Sequence, residues 1–213
     1  SVVPEDLAPT YQSIRSLVEV TLHPKLQLSL GSQTLRYLSI LVHSPVRGCG
    51  KKVAVQYVAN HLGMNIRFVN CYGLLGQIES HTEQNFREMF TETATKCLPC
   101  ILVLYNIHVL EKSAQQSHPL KEPRSILSNV LKDCATAFQQ ERSGFPLILV
   151  GVTHNLDGMS AGLRACFRHE VKVEVPAQKQ REAYLSNLLQ GLPYSRDVSL
   201  RELSLTTASF SRK

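Results

Sequence analysis

The chain has 213 residues, 43% of them apolar and 19% charged, with no tryptophan; this balance fits a globular domain and excludes a disordered acidic tail, a collagen-like fibre and a polar low-complexity segment. The net charge of +6 comes from scattered basic residues, the densest group being Arg47, Lys51 and Lys52, so no nucleic-acid-binding arm is predicted. The longest apolar run, Cys100 to Tyr105, is far short of the ~18 residues a membrane span needs, and six unevenly spaced cysteines suggest a reduced interior rather than a disulfide framework.

Residues 1–34 are expected to form a peripheral helical arm and linker: Leu7, Tyr11, Ile14, Leu17, Val18 and Leu22 recur at helical spacing among Pro4, Pro9 and Pro24. Leu35 to His43 predicts a strand, and Ser44 to Lys52 a glycine-containing break. Val53 to Leu62 predicts a helix with Val55, Val58, Ala59 and Leu62 on one face and Gly63 as C-cap. Strand, glycine turn and helix open a βαβ unit. Asn65 to Cys71 reads as a strand, and Thr82 to Lys96 as a helix with Phe86, Met89, Phe90 and Ala94 inward. The Ile, Leu and Val of Cys100 to Tyr105 predict a strand buried on both faces.

Lys112 to Pro123, polar and holding two prolines, is predicted as a mobile linker. Ser125 to Gln139 carries the helical stripe Leu127, Val130, Leu131, Cys134 and Phe138. Pro146 to Val152 is another buried strand, and Val171, Val173 and Val175 alternate as one more; Gln178 to Leu192 and Leu200 to Phe210 read as helical. Buried strands alternating with amphipathic helices imply a parallel sheet covered on both faces, an α/β fold.

Gly48-Cys49-Gly50-Lys51 has the form of the tail of a phosphate-binding loop. Its glycines let backbone N–H groups turn toward one anion, the lysine reaches the outer phosphates, and the following helix adds its positive end. Lys52 completes the candidate nucleotide-binding set. Two positions depart from G-x-x-x-x-G-K-[ST]: Pro45 replaces the first glycine, and Lys52 the hydroxyl that would ligate Mg²⁺.

In sequence order, this loop, Gly76 to Phe90, Pro99 to Leu104 and Leu149 to Asp157 resemble the core of the AAA+ ATPases over residues 35–213. Within that family, Cys166 to Val173 and Asn70 to Leu75 are most similar to the degenerate first ATPase domain of the peroxisomal-biogenesis branch, the peroxin-6 group. The resemblance implies a P-loop α/β core over 35–176, with a five-stranded parallel sheet flanked by helices, and the start of a helical lid over 177–213. It also implies losses. Tyr105 and Asn106 stand where the family carries the Asp-Glu of its Walker B strand, and His154 where it carries a sensor asparagine. Arg164 corresponds to the first arginine finger, with Cys166 in place of the second. Ile78 and Glu79 occupy the pore-loop position, a non-aromatic tip expected to slide on a polypeptide rather than grip it.

By the same resemblance ATP is a structural ligand, Mg²⁺ lacks its ligands, and hydrolysis is near background. Lys52 either replaces part of the metal's charge or is merely tolerated. The implied partners are a peroxin-1-like AAA+ subunit in a heterohexamer, a peroxisomal membrane anchor protein and a ubiquitinated import receptor. The implied location is cytoplasmic, peripheral at the peroxisomal membrane, and a second ATPase domain is expected to do the pulling. Two alternatives stay open: an active ATPase using Glu170 or Asp157, and an interaction module without nucleotide. The family's strand order puts His108 and His154 near each other, either at the pocket or as ordinary hydrogen-bonded histidines. Cys97-Leu-Pro-Cys100 has no second ligand pair nearby and reads as structural.

Overall fold

The computed structural model describes residues 3–23, 37–110, 126–140, 145–190 and 199–207. The predicted linker Lys112–Pro123 lies outside the described residues, as do the start of the first predicted strand and the ends of the last two predicted helices.

Five strands, β1 (Tyr37–His43), β2 (Asn65–Asn70), β3 (Cys100–Tyr105), β4 (Leu147–Thr153) and β5 (His169–Lys172), form one sheet in the order β2-β3-β4-β1-β5, every pair parallel. β3 and β4 are nearly continuous aliphatic runs and take central places, where both faces are covered. Ile101, Val103, Ile148 and Val150 face the layer holding α1 (Ala8–Leu22) and α2 (Lys51–Leu62). Leu102, Leu104, Leu147 and Leu149 face the layer holding α3 (Glu79–Lys96) and α4 (Ile126–Gln140). All eight are fully buried, and each such side chain contributes about 1.5–3 kcal/mol of burial.

α1 was expected to be peripheral, and the structure differs. Ile14 and Val18 are fully buried and Leu7 is 1% exposed, because α1 lies against α2, β1 and β5. The helix covers β1 and the edge strand β5 on this face. Gly63 takes φ +64 and caps α2 through its N–H to the Ala59 carbonyl, as predicted. α3 starts at Glu79, three residues before the expected Thr82, and buries Phe86, Met89 and Phe90 with Thr82 and Thr93. The last strand is shorter than its valine alternation suggests: Val175 lies beyond β5 and is 43% exposed. A short helix, α5 (Ala161–Arg164), capped by the Ser160 hydroxyl, was not predicted.

Past the sheet, α6 (Gln178–Leu189) buries no side chain and packs on α7 (Leu200–Thr206). Arg181 joins the pair, its Nε donating to the Ser204 carbonyl at 3.1 Å and its Nη1 to the Pro176 carbonyl at 2.7 Å. No helix among the described residues is long and apolar enough to cross a membrane.

Candidate nucleotide-binding site

Sheet register assembles the site. His43 pairs with Thr153, and Val152 pairs with both Val42 and Tyr105, so β1, β3 and β4 end level. Segment 44–52, Asn106 and His154 therefore leave the sheet along one carboxyl edge. The chain departs β1 toward β2 on one side, whereas β4 leads to β5 on the other, so β1 marks the switch point where α/β sheets bind ligands.

The loop after β1 is held by its own atoms. Gly48 and Gly50 take φ +74 and +80, left-handed values that an L side chain adopts only under strain. A β-carbon at Gly50 would also lie 2.8 Å from Leu7 Cδ2, so α1's entry residue buttresses the loop from behind. The Ser44 hydroxyl donates to Cys49 Sγ at 3.4 Å, and Cys49 Sγ donates to the Val46 carbonyl at 3.3 Å. Lys51, the first residue of α2, is 7% exposed, and its Nζ donates to the Val46 carbonyl at 2.7 Å. Burial holds its pKa below the ordinary lysine value. Two left-handed glycines, a lysine and the N-terminus of a 12-residue helix converge here, a donor set that fits phosphate oxygens.

The positions beside the loop do not fit Mg²⁺. Lys52 Nζ stands 4.3 Å over the ring centroid of Tyr105 at the end of β3. Asn106 takes φ +60, and its Nδ2 donates to Asn70 Oδ1 at 3.1 Å. Mg²⁺ asks for carboxylate or water oxygens in an octahedral shell, and this edge offers an ammonium, a phenol and an amide already bonded across to β2. Among the described residues, no group of three His, Cys, Asp or Glu is placed to hold a metal ion.

His154 Nε2 accepts from Arg47 Nε at 3.0 Å, which ties the loop to the end of β4. The rings of His154 and His108 meet edge-on with centroids 4.5 Å apart. His108 Nδ1 lies 3.0 Å from Thr153 Oγ1, and that hydroxyl also accepts the Asn155 N–H at 3.0 Å. The two histidines do meet through their rings, His154 bonded to Arg47 of the loop and His108 to Thr153 of β4. From the sequence Arg47 figures only in the densest basic group, and Asn70 and Thr153 carry no role; the only signal for them is their position next to candidate residues.

The remaining candidates lie apart from this cluster. Arg164 ends α5 and holds Glu170 on β5 with both nitrogens, Nη2 to Oε2 at 2.7 Å and Nε to Oε1. That hydrogen-bonded pairing raises the guanidinium pKa and lowers that of the carboxylate. Cys166 Sγ donates to the Gly162 carbonyl at 3.3 Å and the Ser128 carbonyl at 3.5 Å, packing α5 on α4. Ile78, 56% exposed, is the residue before α3, and Glu79 is its first. Cys97 and Cys100 are both free thiols.

The sequence model of the ATPase family associated with various cellular activities (AAA) matches residues 41–177, from within β1 to the start of the α6 region. The chain belongs to the AAA ATPase family. Membership of this family implies nucleotide binding. The chain is similar to the protein named Peroxisomal ATPase PEX6 of Dictyostelium discoideum, 32% identical over 81% of this chain and 15% of that protein. It is similar to the Homo sapiens protein of the same name at 27% identity, over 95% of this chain and 20% of the relative. A ribosome biogenesis ATPase, RIX7 of Saccharomyces cerevisiae, is 24% identical over 98% of this chain and 26% of its own length. The chain thus spans about a quarter or less of the curated relatives it matches.

Proposed function

We propose that this AAA domain holds ATP as a structural ligand and hydrolyses it barely or not at all, acting as a scaffold within a peroxin-6-type motor. The observation that carries this reading is the Lys52–Tyr105 pair beside a phosphate cradle that keeps its two left-handed glycines. The cradle relies on backbone N–H groups and Lys51, none of which needs an acid at the end of β3. Hydrolysis does need one: a positioned general base supplies on the order of 10²–10⁴-fold. An amide such as Asn106, engaged with Asn70, accepts no proton at neutral pH. Glu170, one of the two alternative acids, is committed to Arg164, and that pairing also keeps Arg164 from serving as a finger, a role worth on the order of 10³–10⁵-fold.

In this proposal the domain sits in a heterohexamer with a peroxin-1-like AAA+ subunit, recruited to the cytoplasmic side of the peroxisome by a membrane anchor protein. Other domains extract the ubiquitinated import receptor, while the tip at exposed Ile78 and half-buried Glu79 lets polypeptide slide. The likeness to the peroxisomal ATPases supports that assignment.

Equilibrium binding and turnover on the purified chain test it together. ATP at 100 times its Kd should add about 2.7 kcal/mol of stability, a rise in melting temperature of about 5–10 °C for a chain of this size. Lys51→Ala should abolish that rise, and turnover should stay at background. Steady hydrolysis near about one per second, lost in Lys51→Ala, would defeat the scaffold reading. No melting shift in either protein would favour an interaction module without nucleotide.

A further inference from the structure

We propose that this site binds nucleoside triphosphate without a divalent cation, the Lys52 ammonium held over Tyr105 taking the metal's place; the inference rests on the reading that the loop holds a triphosphate. The two positions that would organise Mg²⁺ are occupied by a matched pair. An aromatic face holds an ammonium by its quadrupole and leaves the positive charge whole, whereas a carboxylate in place of Tyr105 would neutralise it. Lys52 makes no ion pair among the described residues, so its charge is available to an anion.

Helix electrostatics point the same way. α2 opens with Lys51 and Lys52 and has no acid in its first turn, although the positive end of a helix favours anions and disfavours cations. Two lysines there stay electrostatically unsatisfied until a polyanion arrives. Lys51 belongs to the ordinary loop, and Lys52 adds one further positive charge beside the phosphates where the metal's ligand would stand. A divalent ion entering beside them would meet the Lys52 ammonium and no carboxylate at the end of β3.

ATP binding to the purified chain, measured by calorimetry in EDTA and again in excess Mg²⁺, decides the matter. The wild type should bind within about threefold under the two conditions, and Lys52→Ala should weaken binding in EDTA by about tenfold, the worth of one charge-assisted contact. Lys52 is exposed, so Lys52→Ala should melt with the wild type, which separates lost binding from lost folding. The double variant Lys52→Thr with Tyr105→Asp, which restores oxygen ligands, should bind about tenfold or more tightly with Mg²⁺ than with EDTA. A wild type that needs Mg²⁺ by tenfold or more, or a Lys52→Ala protein with unchanged affinity in EDTA, overturns the inference and leaves nucleotide binding standing. Absence of binding under both conditions removes the underlying reading as well.

Discussion

Gly50→Ala should destabilise the chain by more than any backbone penalty alone, because it sets the phosphate loop against α1. Gly50 and Gly63 share a left-handed backbone, φ +80 and +64, so alanine at either carries a strain of about 1–2 kcal/mol. Their surroundings differ. A β-carbon at Gly63 meets nothing within 4 Å, whereas at Gly50 it meets Leu7 Cδ2 at 2.8 Å and Cδ1 at 3.0 Å. Leu7 is 1% exposed and has little room to swing aside, so overpacking adds about 1–3 kcal/mol at Gly50 only. The expected losses are about 2–5 kcal/mol for Gly50→Ala and about 1–2 kcal/mol for Gly63→Ala, measured as urea midpoints at constant slope. In the Gly50→Ala background, Leu7→Ala opens the space the new methyl needs, so the double variant should fall short of additivity by about 1–3 kcal/mol. Equal losses at the two glycines, or strict additivity with Leu7→Ala, would refute the buttressing of the loop by α1.

The remaining predictions concern protons and thiols. Burial holds the Lys51 pKa below its ordinary 10.5, and only the protonated form binds phosphate. ATP affinity is therefore full below the folded pKa and falls as pH rises through it, with proton uptake on binding in that range; a wild-type profile that stays flat up to the ordinary 10.5 would contradict this. For Lys51 alone the unfolded chain holds more protons on approach to that range, so its contribution to stability rises with pH. Desolvation pushes the Cys71 thiol up to about 12 and the Cys100 thiol up to about 11. At pH 8 roughly one in 10⁴ and one in 10³ of them is thiolate, so iodoacetamide should label half-buried Cys97 before either, and mass spectrometry reading the opposite order would count against it. The Arg164 hydrogen bonds hold the Glu170 carboxyl below the usual carboxylate range, so its contribution is present above the unfolded pKa and lost as pH falls through the folded one. Glu170→Gln should melt below the wild type at pH 7, and the gap should close as pH falls through the lowered carboxyl pKa; a gap that does not narrow on acidification would show that the pair is not the cause.

The central fold was legible because its signals are local. The aliphatic runs of β3 and β4 announce burial on both faces, and Gly48-Cys49-Gly50-Lys51 between a strand and a helix announces an anion cradle. The amphipathic stripe of α1 revealed a helix but not its partner, since periodicity says which face is buried and not what covers it. The Arg47–His154 bond joins residues 107 positions apart and exists only because β1 and β4 end level. Asn106 gave no warning of its left-handed backbone or its bond to Asn70: asparagine tolerates φ above zero, and composition does not reveal when it uses that freedom. Val175 misled because alternation continues past the last residue that β1 pairs.

Binding and hydrolysis are separable here because they rest on different kinds of atoms. The cradle is built from backbone N–H groups and one lysine within a single short segment, and a backbone donor survives almost any side-chain substitution that keeps the two left-handed glycines. Hydrolysis depends on a few side chains brought together from separate strand ends, where one altered residue removes a base or a metal ligand outright. A site that has lost the second set and kept the first should therefore remain a binding site. The Lys52–Tyr105 pair adds to this. In the metal-free site we propose, the ammonium lying on the Tyr105 ring supplies positive charge beside the phosphate loop, at the same end of β3 where the scaffold reading finds no acid.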